Sequence, residues 1–269
     1  MSSATSGNHL ITLLSDFGSN DVYVAVMKGV IAQINPAIRV VDLTHEISPQ
    51  NITAAQFNLI NAYPYFPIGT VHVAVVDPGV GGNRRAIAVE LADGFLVGPD
   101  NGLFTGLVQS RSIVQVVELT HTQYWRAAEP SSTFHGRDIF APAGAHLASG
   151  VPLAKLGEAI DPNTLAKLPI PAYATTPTGY IGNIQHIDRF GNVITNIPGE
   201  VVWGKQWSVQ VNRLTLPGCR VYSDVEVGNP VALVGSHGWV EIAINGGDAH
   251  FQMRLNWSDP VKVVLKDNG

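Results

Sequence analysis

Residues 10–44 read LITLLSDFGSNDVYVAVMKGVIAQINPAIRVVDLT, and the fold class turns on how this stretch divides. Leu10 to Ser15 is a short apolar run, long enough for a strand and too short for a helix. It ends at Asp16-Phe17-Gly18, an acid and a glycine that signal a turn. Asp21 can cap a helix over Val22 to Ile34, which must stop before Pro36. Arg39 to Leu43 is then a second apolar run. Strand, helix, strand in this order predicts two parallel strands joined by a crossover helix.

The alternation continues to about Pro152. Val71 to Val76, Ala86 to Leu91, Phe95 to Gly98 and Ile113 to Leu119 are further candidate strands. Thr53 to Ala62 and Asp138 to Ala148 are candidate helices, the latter closed by Gly150 and Pro152. Leu168 to Gly179 carries three prolines, three threonines and no charge, a linker composition. Beyond it come Tyr180 to Ile187, Val193 to Ile197, Trp207 to Val211, Val231 to Val234, Val240 to Ile244 and Val261 to Leu265. Pro-Gly, Gly-Asn-Pro and Asn-Gly-Gly turns punctuate these β-branched runs, so this half reads as a small β-barrel or sandwich. The expected fold class is α/β. An N-terminal α/β domain with a mixed, largely parallel sheet spans residues 8–167, and a C-terminal all-β barrel spans residues 178–269.

Composition excludes several function classes. The chain has 269 residues, with 16 Lys and Arg against 21 Asp and Glu, a formal net charge of -5. There is no basic block to track a phosphate backbone, so no nucleic-acid partner is expected. The longest uncharged runs are broken by Pro, Asn, Gln and His, and none reads as a membrane span. Met1 to Asn8 has neither a basic nor an apolar signal segment, which predicts a cytoplasmic protein. The lone Cys219 excludes an internal disulfide and a multi-cysteine metal site. Charged residues make up 14% of the chain, against roughly 25% in an average soluble protein. That leaves little charge to cover a large monomer surface and predicts a homo-oligomer.

Chemistry-bearing residues gather at the ends of predicted strands, where open α/β sheets form ligand crevices. Asp16 presents two acceptor oxygens suited to the paired hydroxyls of a ribose; the plain alternative, which this segment alone favours, is a turn or helix-capping aspartate. Asp77-Pro78-Gly79-Val80-Gly81-Gly82-Asn83-Arg84-Arg85 sets an acid and a basic pair a glycine loop apart. It has neither the Walker nor the G-x-G-x-x-G spacing, and Asp77 and Arg84 can fold back on each other. His135, in Thr133-Phe134-His135-Gly136-Arg137-Asp138, is a titratable group before a helix, able to move a proton or to serve structure alone. No G-x-S-x-G elbow supports a serine triad. No His-Glu-x-x-His or close His pair supports a metal hydrolase, so no metal site is expected. In the second half, Asp188, Phe190 and Asn192 place an acid, an aromatic and an amide within five residues. Phe190 can stack on a base, Asn192 can read its edge and Asp188 can hold an ammonium; the plain alternative is a β-turn with a core phenylalanine.

Taken together, these motifs resemble the S-adenosyl-L-methionine (SAM) hydrolases, also called SAM hydroxide adenosyltransferases, relatives of the fluorinases and chlorinases. The resemblance rests on Ser15-Asp16-Phe17-Gly18, Met27-Lys28-Gly29-Val30, Val41-Asp42-Leu43-Thr44-His45, Phe66-Pro67-x-Gly69-Thr70-Val71-His72, Val76-Asp77-Pro78-Gly79-Val80-Gly81, Gly98-Pro99-Asp100-Asn101-Gly102-Leu103, Thr133 to Asp138 and Phe190-Gly191-Asn192. It implies a trimer whose substrate lies between the N-terminal domain of one subunit and the C-terminal domain of the next. It also implies a catalytic trio Asp77, Arg84 and His135, with Asp16 on the ribose. Asp188, Phe190 and Asn192 fall on the segment meeting the methionine amine and the adenine. Ser236 falls near the methionine carboxylate, beside His237 where halogenases carry arginine. Asp21, Tyr23 and Asn101 fall in further substrate-binding stretches. SAM is substrate, adenosine is product, and no cofactor is implied.

Three positions separate hydrolysis from halogenation. Halogenating relatives carry Phe-Tyr-Ser or small residues where this chain has His135-Gly136. Fluorinases add a long insertion where it has the short Leu91-Ala92-Asp93-Gly94-Phe95 turn. They also carry tyrosine where it has Asp77, and an anionic carboxylate suits water better than halide. The expected reaction is displacement at the ribose C5' by water, giving adenosine and methionine. A halogenase and a non-catalytic sensor of SAM or adenosine are the alternatives.

Overall fold

A computed structural model describes residues 9–169 and 172–266. Residues 1–8, on which the reading of targeting rests, lie outside the described residues. So do residues 170 and 171 of the expected linker and residues 267–269 at the end of the expected barrel.

The first compact unit runs to Leu168. Its strands are β1 (Leu10–Ser15), β2 (Arg39–Thr44), β3 (Thr70–Val75), β4 (Ala86–Leu91), β5 (Gly94–Pro99), β6 (Ile113–Glu118) and β7 (Glu158–Ala159). They form one sheet in the order β2-β1-β3-β5-β4-β6-β7. β1 pairs in parallel with β2 and β3, and β3 with β5, while β4, β6 and β7 add antiparallel edges. Helices α1 (Tyr23–Ile34), α2 (Ile52–Ala62), α3 (Thr105–Ser110) and α4 (Ala141–Ala148) complete the unit.

β1 and β3 are buried at every residue, which is why they read as unbroken apolar runs rather than alternating ones. Successive side chains still point to opposite faces. Ile11, Leu13, Val71 and Val73 join Met27 and Ile31 of α1 and Ala141 and Ala145 of α4 in one core. Leu14, Ala74 and Val76 join Ala55 and Leu59 of α2 in the other. α4 lies close to the sheet because residue 144 is glycine: a Cβ there would stand 2.6 Å from Val73 Cγ2.

The second unit begins at Pro169. Its strands are β8 (Ala174–Thr176), β9 (Gly179–Ile187), β10 (Val193–Pro198), β11 (Trp207–Val211), β12 (Leu214–Pro217), β13 (Pro230–Val234), β14 (Trp239–Ile244) and β15 (Pro260–Leu265), with a short α5 (Ala249–Met253). The order β12-β11-β15-β9-β10-β14-β13 is antiparallel throughout. A bridge between Gly218 and Ala232 brings its two ends together into a nearly closed barrel. Ile184, Val193, Val209, Val240 and Val263 fill the interior.

Four sequence readings are corrected. Asp21 does not cap α1, which starts at Tyr23 with Val22 at the cap position and no capping side chain. The helix expected over Asp138 to Ala148 opens as a π turn, Gly136–Phe140, before α4. The expected linker contains β8, which pairs with β9. Phe190 is not a core residue but is 76% exposed.

Candidate active site

The parallel strands β1 and β3 end side by side, and the loops leaving them wall a cavity of about 380 Å³. It is lined by Asp16, Phe17, Tyr23, Gln50, Val75, Asp77, Pro78, Val80, Thr133, Phe134, His135 and Gly136. This is the crevice beyond the carboxyl ends of an open sheet where ligands collect.

Asp16 leaves β1 in a turn completed by Gly18 at φ 67°. Its Oδ2 accepts a 2.8 Å hydrogen bond from the backbone N–H of Gln50. Gln50 sits at φ 65°, a conformation rare for a residue with a side chain, and so aims its amide at the carboxylate.

Asp77 leaves β3 and is met by Arg84 at the other end of the glycine loop. Arg84 Nε lies 3.1 and 2.9 Å from the two carboxylate oxygens and Nη2 lies 2.5 Å from Oδ2. The loop closes tightly: at Gly81, φ 74°, a Cβ would stand 2.2 Å from the Ser132 carbonyl oxygen. This approach brings the Asp77 loop against the Ser131 to His135 segment. That segment is anchored in turn by the buried Asp138, which accepts from Ser131 N–H at 2.9 Å and from Arg137 Nε at 2.6 Å. Burial raises the Asp138 pKa, but those hydrogen bonds and the Arg137 and Arg126 charges outweigh it and hold the carboxyl below its usual range.

Arg84 Nη2 also lies 2.6 Å from His135 Nδ1. A guanidinium nitrogen can only donate, so Nδ1 must accept and the ring proton resides on Nε2. Burial, and next the Arg84 charge, push the His135 pKa down, against an upward pull from Asp77 and Asp138. His135 is therefore a neutral imidazole that offers an N–H. Phe17 and Tyr23 each pack edge to face against Phe134 and lie tilted at 47° to one another, ring centroids 5.1 to 5.7 Å apart.

Of the remaining candidates in this unit, Asn101 and Asp21 do not line the cavity. Asn101 donates to the Val76 carbonyl at 2.8 Å and accepts from Leu103 N–H, bracing the exit of β3. Asp21 is exposed ahead of α1.

The barrel unit gathers a second polar cluster. Asp188 Oδ1 accepts from the N–H groups of Phe190 and Asn192, and Oδ2 from Asn192 Nδ2, at 2.8 to 2.9 Å. The turn so fixed holds Phe190 outward. Ser236 is exposed, and His237 beside it accepts from Trp239 N–H through Nδ1 and sets Nε2 3.0 Å from Glu241. Glu241, 3% exposed, also accepts from the Tyr222 hydroxyl at 2.8 Å. His186 belongs to the same corner. Burial drives its pKa to about 4, with Asp188 pulling it up and His237 pushing it down.

Residues 11–157 match the SAM hydroxide adenosyltransferase N-terminal domain and residues 182–262 match the C-terminal domain. The chain belongs to the SAM hydroxide adenosyltransferase family. Among curated relatives, an (R)-S-adenosyl-L-methionine hydrolase of Salinispora tropica is 41% identical over 94% of this chain and 97% of its own. One of Thermus thermophilus is 42% identical over 94% and 99%. A fluorinase of Actinoplanes sp. is more distant, 28% identical over 96% and 98%. The crystal structure of an uncharacterized conserved protein from Thermotoga maritima superposes with a TM-score of 0.89 at 34% identity, over 94% of this chain and 99% of that one.

The residue pattern did not single out Gln50, Phe17, Phe134 or the Tyr222–Glu241 pair. Gln50 acts through its backbone, which leaves no mark on residue type. Phe17 and Phe134 lie within the Asp16 and His135 motifs, overshadowed by the acid and the histidine beside them. Among the described residues, no group of three or more His, Cys, Asp or Glu side chains is placed to hold a metal ion. No helix among them is long and apolar enough to cross a membrane.

Proposed function

We propose that the protein hydrolyses SAM to adenosine and L-methionine by attack of water on the ribose C5'. The observation that carries the reading is the contact between Arg84 and His135 Nδ1 beside Asp77 at the cavity wall. With its proton on Nε2, His135 donates to the water oxygen, and Asp77 accepts the water's proton. A lone pair of that oxygen then points at C5'. As the C–O bond forms, the C5'–S bond breaks and its electrons return to sulfur, so methionine leaves as a neutral thioether. Arg84 fixes both partners and remains protonated throughout. The gain is mainly orientation in a poorly hydrated site.

The sulfonium leaves without protonation, so the reading calls on neither a cofactor nor a metal. Asp16 takes the ribose hydroxyls, and the Asp188, Phe190 and Asn192 turn with Ser236 takes the adenine and the amino-acid end. We assign those two sets to different subunits of a cytoplasmic homotrimer. The low charge content and the outward Phe190 support that assignment.

The test is chromatography of SAM incubated with the protein in chloride buffer made with 18O water. Equal adenosine and methionine over many turnovers, with the label in the 5'-hydroxyl, is expected. 5'-Chloro-5'-deoxyadenosine means halogenation instead. Bound adenosine without turnover means a sensor.

A further inference from the structure

The turn that carries Asp16 is braced by side chains that do not line the cavity. Ser15, 1% exposed at the end of β1, sets Oγ 2.7 Å from His45 Nδ1. The same oxygen accepts a 3.3 Å bond from Phe17 N–H. His45 follows β2, and its carbonyl accepts Gly18 N–H at 2.8 Å. Its Nε2 lies 3.1 Å from Asp42 Oδ1, in contact but off the hydrogen-bond axis. Asp42 Oδ2 in turn holds Lys28 Nζ of α1 at 2.5 Å.

The hydrogens run one way along this chain. The Asp42 carboxylate facing Nε2 favours the ring proton on that nitrogen, so Nδ1 accepts the Ser15 hydroxyl hydrogen while Ser15 Oγ accepts from Phe17 N–H. Lys28 balances the Asp42 charge. Serine, histidine and aspartate in series have the composition of a hydrolase triad, but Ser15 is sealed from the cavity and its hydrogen is committed. None of the three lines the cavity, whereas Asp16 and Phe17, carried on the same turn, both do.

We infer that Ser15, His45, Asp42 and Lys28 form a positioning relay that holds the Asp16–Phe17 turn in the geometry required to grip the ribose hydroxyls. The inference rests on the adenosyl-binding reading above. It makes His45 a positioning residue for substrate binding rather than for the chemical step, because Asp77, Arg84 and His135 stand on other loops.

Steady-state kinetics with SAM and calorimetric titration with adenosine test it in H45A, H45N, S15A, D16A and the D16A/H45A pair. Losing the brace should raise KM for SAM and Kd for adenosine about tenfold in H45A and S15A, with kcat changed by less than about threefold. Asn places its Oδ1 where Nδ1 stood, so H45N should return both constants to within about twofold of wild type. In the D16A background the H45A change should add nothing, since the group it positions is gone. Wild-type constants in H45A, or an H45A penalty undiminished in the D16A background, overturn the relay while leaving the hydrolase reading intact. H45N as impaired as H45A also overturns it. A wild-type protein that neither turns over SAM nor binds adenosine overturns the reading beneath it and the relay with it.

Discussion

Arg84 Nη2 stands 2.6 Å from His135 Nδ1 while the same guanidinium grips Asp77 through Nε and Nη2. One permanently charged donor thus fixes the tautomer of one partner and the orientation of the other. The histidine becomes a donor toward the cavity, and the carboxylate is left as the group that takes a proton.

This division of labour separates two substitutions. Asp77→Asn removes the proton acceptor and should lower kcat by about 10²- to 10⁴-fold. His135→Gln keeps an N–H where Nε2 stood and should cost only about tenfold. Single-turnover rates with SAM measure both. If His135→Gln were as damaging as Asp77→Asn, the histidine would be the base and the tautomer argument wrong.

The pH dependence has a definite sign. His135 is held below the ordinary histidine pKa, so it stays neutral through the physiological range and kcat/KM should fall only under more acid conditions. Stability follows the same rule. Burial drives His72 and His186 each to about 4 in the folded protein. The unfolded chain therefore binds protons first as pH drops. The stability these neutral rings contribute is complete above the ordinary histidine range and is lost as pH falls toward 4. The slope is at most about 1.4 kcal/mol per pH unit for each ring. Urea unfolding at pH 7, 6 and 5 reads the slope, and His72→Phe should flatten it.

Gly81 couples the two loops that carry the trio. An alanine there meets the Ser132 carbonyl and must hold φ 74°, so Gly81→Ala should cost about 2 kcal/mol or more. Because Ser132 leads directly to His135, kcat should drop further than stability alone explains. A variant with a lowered melting temperature and an unchanged kcat at 25 °C would show that the loops do not need this approach.

How much of this was legible depended on where the cause lay. β1 and β3 declared themselves because both their faces are buried and the runs are apolar throughout. The start of α4 did not, since a π turn and an α turn draw on the same residue types, and Gly136–Phe140 differs only in hydrogen-bond register. β8 hid in a proline-rich stretch because its three residues owe their conformation to pairing with β9, not to their own pattern. Asp77, Arg84 and His135 were each visible as motifs. Their meeting was not, for His135 lies 51 residues from Arg84 and tertiary packing alone joins them. Asn101 and Asp21 were named by the stretch they occupy, and neither lines the cavity.

Phe190 offers the sharpest separation of binding from folding. It is 76% exposed on a turn held by Asp188 and Asn192 through backbone and amide hydrogen bonds that do not involve its ring. Removing the ring leaves that turn intact, so Phe190→Ala should change stability by no more than about 0.5 kcal/mol. If the ring stacks on adenine, adenosine affinity should weaken by about 1–3 kcal/mol, the usual worth of one aromatic–base contact. Calorimetric titration with adenosine beside a thermal melt gives both numbers on one sample. Unchanged affinity would remove Phe190 from the site and, with it, the reason for expecting the barrel unit to meet the adenine. A weaker affinity together with an unchanged melt would tie the barrel unit to the nucleoside by a residue that the fold itself does not need.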